Sequence, residues 1–218
     1  MTWDKALFVC ALTREAGWLS SVIPAESSRV LGPGNFFNSG LERCLNSIKP
    51  RQCVLLAGFS GALRRDLKPG DIVLADAVSS NEGTIFANLK DRFTPPPGCR
   101  IGSVHMTQGL VESAAKKQQL GLQTGALAVD MESAFFARSC QKLGIPWLIV
   151  RVIFDRMVDP LHPRMMDWCR GDGSLNGWRM ARDMALSPDW WWRTPGWGWR
   201  ERKAGLALAN FIGHIHPT

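Results

Sequence analysis

The sequence predicts an α/β protein, a three-layer α/β/α sandwich around a central mixed β-sheet, in one domain over residues 1–218. Three observations carry that expectation. Strand-like runs alternate along the chain with helix-like runs, the order that lets helices cover a sheet. The run WLIVRVIF (147–154) is apolar almost without a break, and strands read this way when both faces are buried. Gly144 and Pro146 separate that run from a helix-like segment, since glycine closes a helix and proline cannot continue one.

The elements come in order. ALFVCAL (6–12) reads as a buried first strand, and Glu15 lies just beyond its end. Taken alone, Glu15 also fits a solvated residue at a helix start. Residues 20–31 are short and polar. GPGN (32–35) opens a helix through residue 49, whose first N–H groups could face an anion. A plain Gly/Pro turn with a cap fits equally. It is no dinucleotide fingerprint, because Phe37 stands where the third glycine belongs. QCVLLAG (52–58) is the second strand and runs into GFSGAL (58–63). Ser60 is not expected to be a nucleophile: Ala62 replaces the last glycine of an elbow, and a turn into another strand comes next instead of a helix.

DIVLADAV (71–78) is the third strand. Residues 79–99 read as irregular, with TPPPG (94–98) a stiff extended loop. IGSVHM (101–106) is the fourth strand and 108–120 a helix of mixed polarity. AVDMES opens a helix near 131–143, placing Asp130 and Glu132 where the helix dipole favours an anion. After the last strand Asp155 stands at its carboxyl end, where open α/β sheets place ligands. RMVDPLHP then forms a loop, with short helices at 165–169 and 174–186. A Trp/Arg-rich extension spans about 188–203, and a helix at 200–212 turns Leu206, Leu208 and Phe211 inward.

Composition excludes several classes. Hydrophobic content of 45% and charge of 21% suit a globular protein. No run of about 18 apolar residues spans a membrane. The six cysteines contain no C-x-x-C pair and the N-terminus does not read as a signal peptide, so reduced thiols in a cytoplasm are expected. Four histidines without acids or thiols at ligand spacing argue against a metal, and no cofactor is expected. The net charge of +7 favours an anionic partner. Seven of the ten tryptophans lie from Trp168 onward. With their arginines they suit a membrane headgroup surface or base stacking, or else a cap on the sheet edge or a subunit contact.

VDMES (129–133), the strand end R-x-I-x-D (151–155), GPGN, GFSGAL and LKPGDIVLAD (67–76) together resemble the purine nucleoside phosphorylase and nucleosidase superfamily. The resemblance implies cleavage of a ribose–base bond. It implies that Met131 and Glu132 line the sugar pocket, that Asp155 handles N7 of a purine, and that Glu15 activates water. The bend with Gly58, Ser60 and Gly61 would approach the ribose. Phe59 stands where the phosphorylases commonly carry Ser or Thr, and Leu56 and Ala57 stand where their arginine would precede the bend. Both departures favour water over phosphate as co-substrate, although Arg14, Arg29 and Arg64 offer material for another phosphate site. Arg151 is left without a role.

The implied chemistry makes opposite demands on two acids. Asp155 must be protonated to neutralise the leaving base, which burial favours. Glu132 must stay ionised to grip the ribose hydroxyls and stabilise a cationic sugar. The order VDMES, RVIFD, DPLHP and a Trp/Arg-rich return is most similar to the hopanoid-biosynthesis-associated branch, which implies adenosylhopane, a nucleoside whose 5′ carbon bears a lipid. Methylthioadenosine, adenosylhomocysteine and futalosine are the rival substrates; a non-catalytic nucleoside- or membrane-binding protein is the rival class. A homo-oligomer touching the membrane surface is expected, and no nucleic-acid partner.

Overall fold

The computed structural model describes residues 6–48, 52–87, 96–190 and 196–214. Eight strands form one mixed sheet: β1 (Leu7–Cys10), β2 (Ser28–Val30), β3 (Val54–Ala62), β4 (Ile72–Ser80), β5 (Gly83–Phe86), β6 (Arg100–Met106), β7 (Ala128–Asp130) and β8 (Trp147–Asp155). Their order is β2-β1-β3-β7-β6-β4-β5, while β8 runs parallel to β3 and antiparallel to β4. β3, β8, β4, β6 and β7 therefore close a circuit of paired strands.

Alternation along the strands builds the three layers, because successive side chains leave opposite faces. Val54, Leu56, Trp147 and Ile149 pack under α2 (Asn35–Asn46) and α4 (Ser133–Lys142), meeting Phe37, Leu41, Phe136 and Ala137. Leu55, Ala57, Leu148 and Val150 turn to α1 (Thr13–Leu19) and α6 (Trp197–His214), meeting Leu19, Ala204, Leu208 and Phe211. β8 is buried from Trp147 to Ile153, as its unbroken apolar run requires.

Several boundaries differ from expectation. The AVD of AVDMES is strand β7, so Asp130 ends a strand and the helix begins only at Ser133. Inside the stretch expected to be irregular, β5 returns on β4 as a hairpin, satisfying the β4 edge; residues 88–95, with the first half of TPPPG, lie outside the described residues. α3 (Ala114–Thr124) starts six residues late because Ser113 caps it, its hydroxyl accepting from the Lys116 N–H. α5 covers Gly177–Ala185, and Leu206 is exposed where an inward position was expected.

α3 seats through Gly121 against Leu63, the residue after β3, where an added Cβ would lie 2.4 Å from the Leu63 carbonyl oxygen. Alanine favours a helix by about 1 kcal/mol over glycine, but a backbone oxygen cannot step aside. Gly121→Ala is therefore expected to destabilise the protein by about 1–3 kcal/mol in urea unfolding, as overpacking does. An unchanged or raised midpoint would contradict the seating.

Candidate active site

At the carboxyl ends of β3 and β8 a cavity opens, lined by Glu15, Ser60, Gly61, Met131, Glu132 and Asp155 among others. Glu15 is no solvated helix residue. It is 2% exposed, and its Oε2 accepts from the N–H groups of Ala11 (3.0 Å) and Leu12 (2.8 Å) while Oε1 accepts from Phe59 (2.7 Å). Gly58 makes this possible: a Cβ there would lie 2.5 Å from Glu15 Oε1 and 2.8 Å from Arg151 Nη1. Gly58 thus leaves room for the acid, and it is absent from the cavity wall where a sugar contact was expected. Gly61 does the same for Asp155, whose Oδ2 stands 3.2 Å from the position a Cβ would take. Ser60 spends its hydroxyl on the Val152 carbonyl (3.3 Å), in keeping with a non-nucleophilic residue.

Glu132 sits between α2 and β8. Its Oε1 accepts from the Gly34 N–H at 3.1 Å and its Oε2 from Arg151 Nη2 at 3.4 Å. The free amide expected at the GPGN helix start does face an anion, and that anion is Glu132. Gly34 holds φ +59°, a left-handed conformation that glycine adopts without strain. Met131 packs nearby along the cavity.

Arg151, which sequence reasoning left unassigned, is the fully buried centre of this group. Its Nε donates to Asp130 Oδ2 at 2.6 Å, its Nη2 reaches Asp130 and Glu132, and its Nη1 has no partner among the described residues. An arginine inside an otherwise apolar strand was the available signal, since a buried charge must be paired. Asp130 in turn accepts from the N–H and hydroxyl of Ser133.

Asp155 ends β8 at a bulge: Ser60 pairs with Ile153 but Gly61 with Asp155, so Phe154 is extra and both Phe154 and Asp155 face the cavity. Its Oδ2 accepts from Lys117 Nζ, a contact the sequence did not announce, because α3 shows only weak amphipathic patterning.

Burial pushes all three site acids above the ordinary carboxylate range. For Glu15, Arg151 and the three backbone N–H groups oppose the rise. Burial lifts Asp155 as expected, with Lys117 opposing. Glu132 departs from its expected ionised state, since burial, only partly offset by Arg151, carries it up to about 7. Its position ahead of α4 is outweighed by desolvation.

A carboxyl group whose folded pKa exceeds its unfolded value binds more protons when folded. Its stabilisation is complete below the unfolded pKa near 4.5 and lost as pH rises through about 7. Wild type should therefore gain on the order of 1–3 kcal/mol relative to Glu132→Gln as pH falls from 8 to 5. Parallel pH dependences of the two unfolding curves would refute the assignment.

A family model described as the phosphorylase superfamily matches residues 94–170. An aminodeoxyfutalosine nucleosidase of Helicobacter pylori is 27% identical over 128 residues, covering 48% of this chain and 56% of that protein. A 5′-methylthioadenosine/S-adenosylhomocysteine nucleosidase of Haemophilus influenzae is 24% identical over 142 residues, covering 53% and 61%. The chain thus spans less than two thirds of the length of these relatives. Among solved structures, a mutant Helicobacter pylori MTAN holding 5′-methylthioadenosine in its active site superposes with a TM-score of 0.60 at 15% identity, covering 95% of this chain and 96% of that one. The futalosine hydrolase of the same organism superposes with a TM-score of 0.58 at 17% identity, covering 95% and 94%. At such identities the structures establish the α/β fold, and the segment over residues 94–170 is similar to the phosphorylase superfamily.

Proposed function

We propose that the chain is a purine nucleosidase, hydrolysing the N-ribosidic bond of a 5′-modified purine nucleoside. The observation that carries this reading is the convergence of three buried acids from separate elements, Glu15, Glu132 and Asp155, on one cavity. Glu15, which borders the cavity, takes a proton from the attacking water. Glu132 acts in its ionised form, which a rise to about 7 leaves accessible near neutral pH: it accepts from the ribose hydroxyls and stabilises the developing sugar cation. Asp155 passes its proton to N7 as the C1′–N9 electron pair leaves with the base.

Water is favoured over phosphate because the cations offered for a phosphate site are engaged or remote from the wall. Arg14 pairs with Glu201 at 2.7 Å, Arg29 donates to the carbonyls of Glu26 and Ser28, and Arg64 is exposed and absent from the cavity lining.

The 5′ group is read as a lipid, as in adenosylhopane. Beyond the acids the cavity continues along Met165, Met166, Trp168, Leu175, Met180 and Trp197, side chains that suit a hydrocarbon. Trp197 lies tilted against Trp168 in the cavity wall and Trp190 meets His162 edge-on, both half-buried. Trp178 and Trp199 stay exposed beside Arg179, Arg182 and Lys203, and these serve the membrane contact; Trp191, Trp192 and Arg193 lie outside the described residues. The relatives favour a second reading with smaller 5′ groups, since their names specify methylthioadenosine, adenosylhomocysteine or aminodeoxyfutalosine.

Base release from adenosylhopane, methylthioadenosine and futalosine, with and without liposomes, decides between the readings. Efficient cleavage of the small nucleosides with indifference to the lipid-bearing one would select the second; release of base from none would remove both. Equal rates with and without phosphate are expected. On the cleaved nucleoside, Asp155→Asn should lower kcat by roughly 10²–10⁴-fold, as loss of a general acid does. Gly58→Ala should lower kcat about 10²-fold by displacing Glu15, with far-ultraviolet circular dichroism unchanged.

A further inference from the structure

Lys117 is a lysine with no exposed surface, on α3, outside every motif of the sequence. Its ammonium has three protons and three acceptors: Asp155 Oδ2, the Asp159 carbonyl at 2.8 Å and the Arg156 carbonyl at 3.4 Å. Those carbonyls belong to the loop after β8, so Lys117 ties the end of the strand to α3. All three donors being spent, Lys117 has none left for a substrate. Asp155 Oδ1, by contrast, accepts no hydrogen bond from a described residue, and the side chain borders the cavity.

We propose that Lys117 is a positioning residue and the built-in counter-ion of the general acid: it locks Oδ2, leaves Oδ1 as the oxygen that carries the proton to the base, and balances the carboxylate formed when that proton leaves. The proposal rests on the reading of Asp155 as that acid. The step conserves charge and atoms. The C1′–N9 electron pair departs with the base, the Oδ1 proton moves to N7, and Asp155 becomes a carboxylate beside a standing ammonium. Without Lys117 the same transfer would leave an unpaired buried anion, which is strongly disfavoured. The other charges facing Asp155 are Asp159 in the next loop and Arg200 on α6, which pair with one another at 3.3 Å; Arg156 also pairs with Asp159. That leaves Lys117 as the cation committed to Asp155.

A counter-ion makes Asp155 a stronger acid but lowers the pH at which it loses its proton. Replacing Lys117 therefore has two opposed signatures. In Lys117→Met, kcat for a cleaved purine nucleoside should fall at least about tenfold while the alkaline limb of the pH profile moves up by about one unit, one unit being a tenfold change in proton affinity. Lys117→Arg should restore both. Hydrolysis of 4-nitrophenyl β-D-ribofuranoside, whose leaving group needs no proton, should not change. A fall in kcat with an unmoved alkaline limb would overturn the proposal, because a merely structural role predicts that result.

A measurement on wild type covers the case in which Lys117→Met does not fold and needs no substrate. The Asp155 13Cγ signal, assigned with Asp155→Asn, and the Lys117 15Nζ signal should titrate together, since one proton changes the charge beside both. A Lys117 signal that stays flat while Asp155 titrates would overturn the proposal. If Asp155→Asn instead slowed the purine nucleoside and the nitrophenyl riboside equally, Asp155 would not be the acid, and the underlying reading would fail separately.

Discussion

The buried guanidinium of Arg151 is the interaction on which the site depends. It stands on the central strand with no exposed surface and faces the carboxyl groups of Asp130, Glu132 and Glu15, which arrive from β7, the start of α4 and α1. Without it three acids would crowd an interior that cannot solvate them, and removing one partner of a buried ion pair commonly costs about 3–5 kcal/mol. With it the balance is still short, since one cation answers three acids. Burial is the first reason for Glu132 rising to about 7, and the neighbouring charges of Asp130 and Glu15 add to it.

A second constraint is space. The acids approach the strands closely because the strands omit side chains there. Gly58 admits the Glu15 carboxyl and Gly61 admits that of Asp155, while the bulge at Phe154 turns the end of β8 toward the cavity. The glycines of GFSGAL therefore shape the site from behind. Asp155 has its own cation in Lys117, while Glu15 and Glu132 share Arg151, so the two ends of the cavity carry separate ion clusters. Two such clusters can hold different protonation states at one pH, as the proposed hydrolysis requires.

Most of the fold was legible because its strands are strongly patterned. WLIVRVIF, QCVLLAG, DIVLADAV and IGSVHM each became a strand of the sheet. β5 and β7 were not legible: they are four and three residues long and gain their status from pairing with β4, β3 and β6. The start of α3 was set by the Ser113 cap instead of by hydrophobic spacing. Glu132 and Asp155 could be picked out from local position, each at the junction of a strand with the next helix or loop, whereas Glu15 taken alone fitted a solvated helix residue and was singled out by the family resemblance. Gly58 could be picked out but not interpreted, because its neighbour Glu15 is 43 residues away in sequence.

By itself, the sequence determined the α/β class, the burial of the central strand, and the acids waiting at strand ends, since each is set by periodicity, punctuation or local order along the chain. Only the tertiary structure decided what those acids meet. Lys117 reaches Asp155 across 38 residues and Gly34 reaches Glu132 across 98. Desolvation depends on everything packed around a group, and the two carboxyl groups that local position would have set apart are both lifted by it. A charge state is a property of the enclosure, and the enclosure exists only once the strands have closed.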